Sequence, residues 1–121
     1  MFDGILGLGP IDLTQNTVAN MFQVPTVTDN LCAQGKISQE VLGIFFSPTS
    51  EPDNDGTLTF GGVDFSVITS PVNYVPLTTT VPAARFWGMN QTVTYGDTTV
   101  MSSNAGIVDT GTTLVLMATG E

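Results

Sequence analysis

The sequence predicts an all-β chain with minor helix. Three observations carry that expectation. Thr57-Leu58-Thr59-Phe60 and Phe86 to Tyr95 alternate polar and apolar residues at the two-residue period of a half-buried strand. Glycine- and proline-bearing turns, among them Asp55-Gly56 and Gly96-Asp97, punctuate the runs. Thr is the commonest residue, with 19 copies, and its branched Cβ suits pleated backbone.

Taken in order, Phe2 to Gly9 reads as an apolar, glycine-laced strand of the kind expected where backbones approach closely. From Ile11 to Pro25 the signals are mixed, and Asp12 or Thr14 is placed to cap a short helix through Met21. Thr26 to Gln34 is a better-defined helix. Thr26-Val27-Thr28-Asp29 fits a capping box, Val27 and Leu31 share a face, and Gly35 supplies a left-handed stop. Ile37 to Phe46 reads as a strand ended by Ser47-Pro48, because proline has no N–H for a ladder. A loop over Glu51 to Gly56 joins it to Thr57–Phe60 as a hairpin, closed by Gly61-Gly62. Val63 to Pro76 holds short β-branched stretches broken by Pro71 and Pro76, suited to edge strands or a connection. Phe86 to Tyr95 turns at Gly96-Asp97 into Thr98 to Ser102, a second hairpin, and Ala105 to Val108 is a further apolar strand.

The charge balance excludes whole classes of partner. Two cations against 11 acidic residues give a formal charge of −9, so nucleic-acid binding, which neutralises phosphates with Lys and Arg, is not expected. No polybasic cluster exists for anionic lipid, and no apolar run reaches the ~18 residues of a membrane-spanning helix. A chain with so few cations also avoids strong positive self-repulsion when its carboxylates protonate, so tolerance of acid is expected. The N-terminal residues lack the cationic start and apolar run of a secretory leader.

With no His and only Cys32, the chain cannot by itself build a Ser-His-Asp triad, a Cys-His pair or a His/Cys zinc site. Any chemistry rests on carboxylates and hydroxyls. Asp109 is the candidate: it follows the apolar run Ile107-Val108 and opens the turn Thr110-Gly111-Thr112-Thr113, whose hydroxyl and N–H donors can hold a carboxylate ionised. Alone, Asp-Thr-Gly is an ordinary strand-ending turn. The apolar residues on both sides, with Leu114-Val115-Leu116 after it, point to a turn at the end of a buried segment instead.

Five segments then occur in a characteristic order: Phe2-Asp3-Gly4-Ile5-Leu6-Gly7-Leu8-Gly9, Val27-Thr28-Asp29-Asn30-Leu31, Leu58-Thr59-Phe60-Gly61-Gly62-Val63-Asp64, Phe86-Trp87-Gly88 and Ala105-Gly106-Ile107-Val108-Asp109-Thr110-Gly111-Thr112-Thr113. In this the chain resembles the pepsin-like aspartic endopeptidases, and among them the secreted fungal members of the polyporopepsin type. The resemblance implies part of a bilobal β fold, with residues 1–66 as the C-terminal part of the N-terminal lobe and 67–121 as the first part of the C-terminal lobe. It implies hydrolysis of peptide bonds by a water held between two aspartates, of which Asp109 matches the second. Thr110 matches the residue supporting the dyad from beneath, Gly111 and Thr112 those orienting the carboxylate, Thr113 a site of substrate backbone binding, and Ile5 an apolar wall near the scissile bond.

The resemblance further implies protein or peptide substrates, no metal or cofactor, a monomeric parent enzyme, and a secreted, extracellular or vacuolar location. The chain departs from the family pattern in three respects: the first Asp-Thr-Gly motif and the flap tyrosine would lie before Met1, the rest of the second lobe would lie after Glu121, and Val100 to Gly106 contains no Cys for the disulfide that pepsin places just before the Asp109 motif. The chain is therefore expected to be an internal fragment, inactive in isolation, with a non-catalytic binding domain or truncated gene product as the alternative. Pairing of two copies as a complete site is not expected, because too little chain follows Asp109 to build the supporting strands. Among minor features, Asn90-Gln91-Thr92 is a glycosylation sequon in a predicted strand. Glu51, Asp53 and Asp55 miss the spacing of a calcium loop and read as a solvated turn. Cys32 is expected as a small buried apolar residue, and Trp87 as a packing anchor.

Overall fold

Thr26 starts the one α-helix among the described residues, α1 (Val27–Ala33), through a reciprocal pair of bonds. The Thr26 hydroxyl accepts from the Asp29 N–H at 3.3 Å, and the Asp29 carboxylate accepts from the Thr26 N–H at 2.6 Å. The Asp29 charge also lies in the first turn, where the helix dipole favours an anion. At the other end Gly35 takes φ +66. Its N–H donates to the Cys32 carbonyl, and the Lys36 N–H reaches back to the Leu31 carbonyl, each at 2.9 Å, which together make a Schellman stop. Both ends match the sequence expectation; Cys32 itself is half-buried rather than fully enclosed.

The computed structural model describes residues 3–48, 50 and 55–118. The chain divides into two units, one of Met1–Leu8 with Val24–Asn73, the other of Gly9–Gln23 with Tyr74–Glu121. The first unit holds α1 and an antiparallel hairpin of β1 (Leu42–Phe45) and β2 (Thr57–Phe60), paired from Leu42 opposite Phe60 to Phe45 opposite Thr57. Period-two alternation therefore gathers Leu42, Ile44, Leu58 and Phe60 on one face. The Ser47 hydroxyl donates to the Asp55 carbonyl at 2.9 Å on the loop side. Glu51 to Asn54 of the expected loop lie outside the described residues, and with them the acidic pair Glu51 and Asp53.

Two expectations are corrected in the first unit. Asp3–Leu8 forms no strand, and Ile5 is 95% exposed; a strand exists only within a ladder, and the ladders of the described residues are β1 with β2 and a second hairpin later in the chain. Phe2 lies outside them. The strand expected from Ile37 begins only at Leu42. Of the two readings of Val63 to Pro76, edge strands or a connection, the segment contains no strand.

The second unit opens with a short 3-10 turn, Ile11–Thr14, where a helix through Met21 was expected. The Thr14 and Thr17 hydroxyls each donate to the carbonyl three residues back at 2.7 Å, while Asn16 and Asn20 adopt positive φ. These local bonds give the backbone an alternative to the helix. Asp12 caps nothing; its carboxylate accepts from the Gln15 and Gln23 amides instead.

The rest of the unit is built on β3 (Gly88–Tyr95) and β4 (Thr98–Ile107), an antiparallel pair joined by Gly96-Asp97, with Gly96 at φ +57. The two strands expected at Thr98–Ser102 and Ala105–Val108 are one. They are joined through irregularities that shift the register between Gln91 and Thr94. There Ser103 takes φ +52 and donates its N–H to the Thr92 hydroxyl at 3.1 Å, so the displaced backbone is satisfied by a side chain. The total slip between the two ends of the ladder is two residues, which restores the in-and-out phase of β4.

The buried residues of this unit among those described are Thr78, Ala83 and Gly88. The Thr78 N–H donates to the Gly88 carbonyl at 2.9 Å, its hydroxyl donates to Asn90 Oδ1 at 2.8 Å, and that hydroxyl accepts from the Thr80 N–H at 3.2 Å. The N–H and the hydroxyl of the buried threonine are thereby both used. Trp87, expected as a packing anchor, is 45% exposed.

Candidate functional site

β4 ends at Ile107, and the Val108 N–H donates to the Trp87 carbonyl at 2.9 Å, carrying the pairing one step past the strand. Asp109 comes next, where no further partner continues the ladder and the chain turns. The turn is closed from within the motif. Asp109 Oδ1 accepts from the Gly111 N–H at 2.9 Å, Oδ2 accepts from the Thr112 hydroxyl at 2.6 Å, and the Thr112 N–H approaches the Asp109 carbonyl at 3.4 Å. A Cβ at position 111 would stand 3.2 Å from Asp109 Oδ1, so glycine there lets the N–H come close without crowding the carboxylate.

Both carboxylate oxygens thus receive a donor. The Thr112 hydroxyl, and after it the Gly111 N–H, hold the Asp109 carboxyl below its ordinary value of 3.8, against a small opposing effect of desolvation. The group is exposed, an ionised carboxylate with its geometry set by two short local bonds. Thr110 and Thr113 lie on the same turn and are exposed, so the structure brings Asp109, Thr110, Gly111, Thr112 and Thr113 together. Ile5, the remaining candidate, belongs to the other unit.

The surroundings differ from the expectation of a turn capping a buried segment. Val108 is 56% exposed and Leu114, Val115 and Leu116 are 72%, 87% and 76% exposed. Their apolar character calls for a covering layer that the described residues do not supply.

Sequence reasoning passed over a second carboxylate of the same kind. Asp64 Oδ1 accepts from the Ser66 hydroxyl at 2.6 Å and from the Ser66 N–H at 2.9 Å, and these bonds likewise hold its carboxyl below 3.8. The signal was present as Asp-x-Ser, a common side-chain turn. Asp64 and Asp109 thus share a lowered carboxyl pKa. Asp109 differs in having its donors divided between both oxygens. Among the described residues no three His, Cys, Asp or Glu side chains gather to hold a metal ion, and no helix is long and apolar enough to cross a membrane.

Comparison with known proteins agrees with the motif order. The family model described as eukaryotic aspartyl protease matches residues 1–121. Polyporopepsin of Irpex lacteus is 52% identical over 120 residues, covering 96% of this chain and 35% of its own length. Rhizopuspepsin-1 of Rhizopus niveus is 36% identical over 118 residues, covering 97% of this chain and 28% of its own. The crystal structure of the aspartic proteinase from Irpex lacteus superposes with a TM-score of 0.85 at 46% identity, over 98% of this chain and 37% of that one. The chain therefore spans about a third of the length of these relatives. With the whole chain matched by the family model and the Asp-Thr-Gly-Thr turn formed as the motif requires, the protein belongs to the eukaryotic aspartyl protease family.

Proposed function

We propose that this chain contributes Asp109 to the two-aspartate centre of an acid endopeptidase acting on proteins or peptides. The observation that carries the reading is the division of donors at Asp109: Gly111 N–H on one oxygen and Thr112 hydroxyl on the other. Such a carboxylate is ionised and fixed in orientation. Placed beside a second carboxylate, it shares one proton with it, as in aspartic proteases generally, since two adjacent negative charges are unfavourable. The ionised member takes a proton from water, the water oxygen attacks the peptide carbonyl carbon, and the protonated member donates to the carbonyl oxygen.

Thr110 supports the dyad, Gly111 and Thr112 orient Asp109 and adjoin substrate, Thr113 binds substrate backbone, and Ile5 lines an apolar subsite. Residues 1–66 belong to the N-terminal lobe and 67–121 to the C-terminal lobe. No cofactor takes part, the parent enzyme is monomeric, and its location is extracellular or vacuolar. One carboxylate cannot divide the roles of base and acid, so the 121-residue chain alone is inactive.

The test is Asp109→Asn in the full coding product that contains this chain, assayed on a denatured protein at pH ~4. A loss of about 10²–10⁴-fold in kcat is expected from removing a general base. Unchanged hydrolysis overturns the assignment of Asp109, and pepstatin-sensitive proteolysis by the 121-residue chain alone overturns its inactivity.

A further inference from the structure

The Thr78–Asn90 bond bears on a motif the proposed activity leaves unused. Asn90 and Thr92, the first and third residues of Asn90-Gln91-Thr92, lie two apart on β3 and so share one face of the ladder; both are exposed. The Thr78 hydroxyl donates to Asn90 Oδ1 at 2.8 Å and also accepts from the Thr80 N–H at 3.2 Å. The Asn90 amide is held by its oxygen. Its oxygen faces the nine-tenths buried Thr78, and its nitrogen is the end left for chemistry.

We propose that Asn90 is a modification site that carries an N-linked glycan on Nδ2. In the transfer, Nδ2 bonds to the anomeric carbon of a lipid-diphosphate-linked oligosaccharide and one of its protons passes to a base of the transferase and on to solvent. The anomeric C–O bond breaks, and the lipid diphosphate leaves with its electron pair. The linked amide keeps its carbonyl oxygen, so the acceptor of the Thr78 hydroxyl survives the reaction and the fold loses no bond at the buried threonine. The same bond ties the amide plane to the 78–80 segment and fixes the direction in which the first sugar leaves the sheet.

The inference rests on the extracellular or vacuolar location proposed above, and the experiment separates the two. The chain is expressed in yeast behind an added secretion leader, with a reporter sequon appended after Glu121 to register entry into the lumen. Site occupancy is read by endoglycosidase H band shift and by mass spectrometry of the Asn90 peptide. With the reporter glycosylated, a glycan on Asn90 in the parent and in Thr92→Ser, and none in Asn90→Gln or Thr92→Ala, is the expected result. An unmodified Asn90 beside a modified reporter overturns the proposal whatever the natural location of the protein. Protease digestion of the glycosylated and deglycosylated chains then reads the retained Thr78 bond. Equal resistance of the 78–80 segment in both is expected, and cleavage confined to the glycosylated form overturns the claim that the fold accommodates the sugar.

Discussion

The Thr112 hydroxyl stands 2.6 Å from Asp109 Oδ2, three residues away along one turn, and is the largest influence on the ionisation of that carboxylate. A donor this short to an ionised acceptor is a charge-assisted bond, stronger than a neutral pair. Thr112→Val is therefore expected to raise the Asp109 pKa toward its ordinary value of 3.8, while Thr112→Ser leaves it low. A carboxyl-carbon NMR titration of the two variants checks this, and equal titration of parent and Thr112→Val contradicts it.

The same bonds set the sign of a pH effect. Because folding lowers the Asp109 and Asp64 carboxyls, each adds stability that is fully present above the ordinary value of 3.8 and is lost as pH falls through the lower folded value. Asp64→Asn is expected to flatten the fall in stability on the acid side. Urea unfolding followed across that range should show the parent and the variant converging as pH drops. A gap that widens with acid would contradict the assignment.

Thr26 and Asp29 cap α1 reciprocally, so Thr26→Ala removes a cap with no substitute nearby. The expected cost is about 1 kcal/mol, seen as a lower urea midpoint at unchanged m-value. Thr26→Ser should restore most of it.

Thr78 donates to Asn90 and accepts from the Thr80 N–H while nine-tenths buried. Thr78→Val keeps the shape and removes both bonds, with an expected cost of about 1–3 kcal/mol because the Thr80 donor loses its acceptor. Faster amide hydrogen exchange at Thr80 in the variant is the specific readout. A uniform change spread over the whole chain would point to a different cause.

Leu114, Val115 and Leu116 stand exposed in a row beside the Asp109 turn. Uncovered apolar runs of this kind promote association, so the isolated chain is expected to bind a hydrophobic dye and elute above its monomer mass. Val115→Thr with Leu116→Lys should reduce both signals, as light scattering at several concentrations can show.

The features legible in the sequence were those whose bonds close within a few residues. The Thr26–Asp29 capping box, the Gly35 stop, the Gly96-Asp97 hairpin and the Asp109–Gly111–Thr112 turn all span two to four positions, so residue type and spacing alone specify them. Strand extents and burial were harder to read. The bulge that joins the two expected strands into β4 depends on Thr92 meeting Ser103, 11 residues on, and the ordering of Thr78 depends on Asn90, 12 residues on. The local hydroxyl bonds of Thr14 and Thr17 defeat a helix that spacing favours.

By itself, then, the sequence determined the local turns and the motif that carries Asp109, because each is stabilised by near neighbours, and it marked the two hairpins through alternation flanking a turn. Tertiary structure alone decided that Gly9–Gln23 joins Tyr74–Glu121 in one unit, that Asp3–Leu8 forms no strand, and that the apolar residues around Asp109 stand exposed. Burial and strand pairing are properties of two segments meeting, and a segment's own residues state only its readiness for a partner.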